Sequence, residues 1–106
     1  MFARKVSMQL KPGAVAQFKD KIENEIIPEL RKQKGFLDEI TFLYPSGKEA
    51  HAFSIWETAE DAEAYNRQSY PALAQIMAPL FDGTVRIQTY EVLNSTVRKA
   101  VATMSA

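Results

Sequence analysis

Phe53-Ser54-Ile55-Trp56-Glu57 closes an alternating apolar run and is followed at once by Thr58, Glu60 and Asp61. Ala50, Ala52, Ser54 and Trp56 fall on one face of this run, and His51, Phe53 and Ile55 on the other, so it reads as a strand with both faces covered. Thr58 then offers a hydroxyl to the first free amides of a helix, with acidic residues in its opening turn. That helix carries Ala62, Tyr65, Ser69, Leu73, Ile76 and Leu80 along one stripe, and Pro71 and Pro79 predict that it is not straight. Upstream, Pro45-Ser46-Gly47-Lys48 is a turn, and residues 36 to 44 alternate Phe36, Ile40 and Phe42 against Leu37, Glu39, Thr41 and Leu43. The two runs form a hairpin.

Residues 2 to 10 also alternate, with Val6, Met8 and Leu10 opposed to Lys5, Ser7 and Gln9. Pro12-Gly13 breaks this strand, and Val15, Phe18, Ile22 and Ile26 recur at helical spacing. Pro28 lacks an amide donor, which predicts a kink or a second short segment through Leu30, capped by Gly35. After Asp82-Gly83 a last strand sets Val85 and Ile87 against Arg86, Gln88, Tyr90 and Val92. The order βαββαβ predicts an α+β, ferredoxin-like split βαβ domain over residues 1–93, a four-stranded antiparallel sheet with two helices on one face. Residues 94–106 are a tail in which Val97, Val101 and Met104 either line a short helix or fray.

Thirteen basic and thirteen acidic residues leave no net charge across 106 residues, so no long-range field gathers nucleic acid or anionic lipid. The chain has no cysteine, hence no disulfide, thiolate nucleophile or cysteine-held metal. The charges of Met1-Phe2-Ala3-Arg4-Lys5 precede no apolar signal core, and no run approaches a membrane span, so the expected location is the cytoplasm. Without a secretion signal, Asn94-Ser95-Thr96 is a chance glycosylation pattern. RNA-recognition modules share the split βαβ order, yet residues 50–57 lack their glycine-rich aromatic signature.

Two helices cover one sheet face, so the other should be polar in a solitary domain. It would instead hold Leu43, Phe53, Ile55, Tyr90 and Val92, which predicts a homodimer pressed together through its sheets into an eight-stranded barrel. His51 falls on that face, away from Trp56, and reads as an interface residue; Arg86 shares the face and is expected to pair with Glu39 or a partner chain.

Phe53 through Tyr65, Pro12-Gly13, Pro28 with Leu30, Gly35-Phe36 and Tyr90-Glu91-Val92 together resemble the antibiotic biosynthesis monooxygenase family, over about residues 3 to 93. The resemblance implies a dimeric α+β barrel and oxidation of small aromatic, phenolic or quinol-like substrates by dioxygen, with no metal or flavin cofactor. It places Trp56 at the family's cavity and Asn66 near it. Quinol-oxidising members carry two histidines on the second helix where this chain has Tyr65 and Tyr70. A phenol of pKa about 10 is a poor base at neutral pH. The haem-degrading pattern, an asparagine in the first strand and a histidine on the second helix, is missing.

The candidate catalytic residues are thus Trp56, Tyr65, Asn66 and Tyr70, and the candidate substrate-binding residues are Met8, Phe42, Ser54, Trp56, Met77 and Thr89. Each has a packing alternative: Trp56 as core, Ser54 and Thr89 satisfying local backbone groups, Met8 and Met77 as apolar filler. Tyr65 and Tyr70 lie roughly 140° apart on a regular helix, so one phenol is expected in a cavity unless the break before Pro71 turns the second inward. Two functions follow, a cofactor-independent monooxygenase or a non-catalytic dimeric module binding a small hydrophobic ligand.

Overall fold

Alternation along the chain becomes a single antiparallel sheet in the computed structural model, which describes residues 1–96. Strand β1 (Phe2–Leu10) leads through Gly13, at φ 77°, into helix α1 (Val15–Lys21). A π-helical segment (Ile22–Ile26) and helix α2 (Ile27–Arg31) continue it, followed by β2 (Phe36–Leu43) and β3 (Glu49–Trp56). Helices α3 (Ala59–Gln68) and α4 (Tyr70–Met77), a 3-10 turn (Ala78–Leu80) and β4 (Phe81–Glu91) complete the fold. The sheet order is β2-β3-β1-β4. The helices pack on one face over a core of Met8, Leu10, Phe18, Leu30, Ala50, Trp56, Ala62, Leu73, Met77 and Leu80. This is the expected α+β, ferredoxin-like split βαβ arrangement. The expected tail residues Val97, Val101 and Met104 lie outside the described residues.

Pro28 opens the expected second short segment, standing in the first turn of α2. The amide of Ile27 donates to the carbonyl of Ile22, five residues back, so the backbone widens by one residue just ahead of the proline. The widening accommodates a ring that would crowd the carbonyl four residues before it, in the manner of a π-bulge. At the second helix the expected break is present: Ser69 sits at φ −118°, ψ −38°, and Pro71 occupies the first turn of α4, where a missing amide is harmless. Thr58 caps α3, its Oγ1 accepting from the Asp61 amide at 3.1 Å.

Strand β2 corrects the expected faces. Phe36 stands opposite Trp56 but Asp38 stands opposite Ile55, so Leu37 is a bulged extra residue that resets the phase. Ile40 and Phe42, paired with Phe53 and His51, point to the uncovered face, whereas Glu39, Thr41 and Leu43, paired with Ser54, Ala52 and Ala50, point to the helix side. Leu43 therefore does not belong to the open apolar patch, and Glu39 is not on the face of Arg86. A second irregularity lies in β4, which begins at Phe81 rather than after Gly83: residues 83–85 stand opposite Met8, with Gly83 at φ 69°.

Candidate functional site

Between the helices and the inner face of the sheet lies a cavity of about 270 Å³. Val6, Met8, Ile22, Ile26, Leu30, Leu73, Met77 and Phe81 give it apolar walls, and Arg4, Glu39, Ser54, Tyr65 and Tyr70 interrupt them. The π-helical segment contributes here, since Ile22 and Ile26, at the two ends of its widened turn, both reach the cavity.

Arg4, like Glu39, is a polar wall residue that sequence reasoning missed. Its signal was present: it lies two residues before Val6 in the same alternation, so a cation is directed inward with the apolar set. The side chain is only 4% exposed. Its Nη2 donates to Asn66 Oδ1 at 2.8 Å, and its guanidinium carbon lies 4.1 Å from the Tyr70 ring centroid and 5.4 Å from that of Tyr65. Among the described residues no carboxylate forms an ion pair with it.

Glu39 enters the cavity wall because of the β2 bulge. Burial pushes its carboxyl above the ordinary range; the hydroxyl of Thr41, donating to Oε2 at 2.6 Å, opposes this, and the Asp38 charge adds to it. Tyr65 is pushed up to about 12, first by burial, with Arg4 pulling down and Tyr70 and Glu39 pushing up. It is therefore a protonated hydrogen-bond donor at neutral pH, and Glu39 is the group in the wall able to take a proton.

Both phenols line the cavity, their ring centroids 6.2 Å apart, because the break at Ser69 rotates Tyr70 inward. Met8, Ser54 and Met77 also lie in the wall. Trp56 does not: it is fully buried behind Tyr65, centroids 5.1 Å apart, and its indole donates to Ser54 Oγ at 2.9 Å. Asn66 acts through Arg4 and is not a lining residue. Phe42 is corrected outright, being 54% exposed on the opposite sheet face and packed edge-on against Phe53. Thr89 is on the helix side as expected, but β4 is an edge strand, and Thr89 is exposed there, outside the cavity.

His51 lies on the uncovered face, Nδ1 3.0 Å from Ser7 Oγ and Nε2 2.8 Å from Glu49 Oε2. The sheet separates this serine-histidine-glutamate chain from the cavity, and Ser7 is only 4% exposed, so it presents no nucleophile to a substrate. Among the described residues no cluster of three or more histidine, cysteine, aspartate or glutamate side chains is placed to hold a metal. No helix there is long and apolar enough to cross a membrane.

No protein-family model matches the sequence, and no curated protein matches it. Solved structures do. A Nitrosomonas europaea protein of unknown function, NE2512, superposes with a TM-score of 0.73 at 22% identity, over 90% of this chain and 91% of its own. A Streptomyces coelicolor monooxygenase, ActVA-Orf6, solved with nanaomycin D, gives 0.76 at 13% identity over 89% and 88%. A Deinococcus radiodurans protein named for antibiotic biosynthesis monooxygenase activity gives 0.74 at 12% over 90% and 95%. At such identities the likeness speaks to architecture, and the chain has the fold of the antibiotic biosynthesis monooxygenases.

Proposed function

We propose that the cavity binds a small aromatic, phenolic or quinol-like substrate and that the protein oxidises it with dioxygen as a cofactor-independent monooxygenase. The observation that carries this reading is the placement of Glu39, a carboxyl of raised proton affinity, in the wall of an otherwise apolar, ring-sized cavity. Glu39 stands in for the histidines that this chain lacks. Its carboxylate takes the phenolic proton, leaving an electron-rich phenolate that gives electrons to dioxygen. For a phenol with an open para position the balance is phenol plus dioxygen to para-quinone plus water. One oxygen atom enters the ring, the other leaves as water, and the substrate supplies all four electrons. Tyr65 and Tyr70 donate to the developing oxygen anions. The Streptomyces neighbour, named a monooxygenase, supports the assignment by fold.

The test is oxygen uptake with a panel of naphthols and hydroquinones, followed by Glu39→Gln. Uptake with at least one substrate, reduced by about 10²-fold in the variant, is the expected result. Saturable binding without uptake would replace the monooxygenase by the second reading, a binding module for a hydrophobic ligand. That reading is favoured by the protonated state of Tyr65 at the position of a family histidine. We further infer a homodimer in which a second copy covers the open sheet face carrying Ile40, Phe42, Phe53, Ile55 and Tyr90. Residues 1–93 are taken as the domain and the cytoplasm as its location.

A further inference from the structure

Among the described residues, Arg4 is a buried cation with an incomplete set of partners. Its guanidinium has five N–H donors, of which Asn66 takes one through a neutral amide oxygen. Tyr65 and Tyr70 contribute ring faces, which attract the charge but accept none of the in-plane hydrogens. A guanidinium withdrawn from water calls for an anion to occupy its planar fork. The side chain lines the cavity, so that anion can come from a ligand.

The sheet register says where the rest of the ligand lies. Arg4 pairs with Ser54, and Ser54 pairs with Glu39, so the three stand in one row across β1, β3 and β2 on the helix side. Two strand spacings set the Cα atoms of Arg4 and Glu39 about 10 Å apart. An aromatic ring held between them meets a cation at one end and a proton acceptor at the other, with the Ser54 hydroxyl already engaged by Trp56.

We propose that Arg4 is the docking group for a ligand carboxylate, and that the cavity selects hydroxylated aromatic carboxylic acids, the acid on Arg4 and the hydroxyl toward Glu39. The proposal rests on the reading of the cavity as an aromatic-substrate site and adds the charge of the substrate to it.

The test is calorimetric titration of the whole chain with 6-hydroxy-2-naphthoate and with its methyl ester, a pair that differs in charge. Wild type should bind the acid about tenfold to a hundredfold more tightly than the ester. Arg4→Met should lose that preference while keeping its affinity for the ester, and Arg4→Lys should retain part of it, with thermal melts confirming that each variant is folded. Equal binding of acid and ester by wild type overturns the proposal and leaves the cavity reading intact. A preference that survives in Arg4→Met also overturns it, since the anion then docks elsewhere. Failure of wild type to bind either probe removes both the proposal and the reading beneath it. If Arg4→Met does not fold, the wild-type acid-to-ester ratio decides.

Discussion

Glu39 and Tyr65 share a wall, and both have folded-state proton affinities above their ordinary values, which makes them visible in the pH dependence of stability. Burial favours protonated Glu39. Between the ordinary carboxyl pKa and its raised one, the folded state keeps a proton that the unfolded chain has released, so stability falls as pH climbs through that window. Glu39→Gln removes the slope. The variant should melt higher than wild type at pH 7 and coincide with it below about pH 4, where both states hold the proton; identical differences at the two pH values would show that burial of charge at Glu39 is not the cause. Tyr65 acts in alkali with the same sign. Its rise from 10.0 to about 12 means that unfolded chains ionise first. Roughly 2–3 kcal/mol of stability should drain away between pH 10 and 12. Denaturant midpoints for Tyr65→Phe should decline less steeply over that range than those of wild type.

At the level of elements, the decisive joints are short. Gly35, between α2 and β2, has φ 78°, and its carbonyl accepts from the Glu57 amide at 2.8 Å. A Cβ there would run into the side chain of Asp61 in the first turn of α3. Gly35→Ala should therefore cost roughly 1–3 kcal/mol by urea unfolding, combining left-handed strain with the displaced carboxylate. Asp61→Gly, which also removes the Cβ that the new methyl would strike, should recover the steric part, and an unchanged penalty in that background would assign the whole cost to the backbone. Elements of this kind were legible in the chain: Thr58 as cap, the break before Pro71, and the four alternating runs each come from local rules that the tertiary structure leaves in force. Legibility failed where one residue interrupted a period. The bulge at Leu37 leaves no mark in residue type, yet it moves Glu39 inward and Phe42 outward, exchanging a missed site residue for an expected one. Arg4 was missed for a different reason. A charged residue inside an apolar alternation is ordinarily solvent-facing, and only the tertiary arrangement shows the tyrosine rings and Asn66 that receive it.

For the whole molecule, the uncovered face of the sheet sets the last expectation. An antiparallel sheet with one side in water is ordinarily polar on that side. Here Ile40, Phe42 and Tyr90 are 44%, 54% and 41% exposed, beside the half-buried Phe53 and Ile55, and Lys5 reaches over the rings of Phe53 and Tyr90. A second copy offers the same apolar surface, and a twofold contact satisfies both faces at once, which an unrelated partner does not. Sedimentation at about 5 µM should give dimers, and Phe42→Glu, which places a charge in the patch, should shift them to monomers by at least tenfold in the dissociation constant, about 1.4 kcal/mol or more. Wild-type monomers at that concentration would remove the barrel. They would not remove the site, because Arg4 on β1, Glu39 on β2 and Tyr70 on α4 meet in the cavity wall of one protomer. Ligand binding by the Phe42→Glu monomer therefore separates the two conclusions: retained affinity places the site within the protomer, and lost affinity would mean that pairing shapes the cavity from the far side of the sheet.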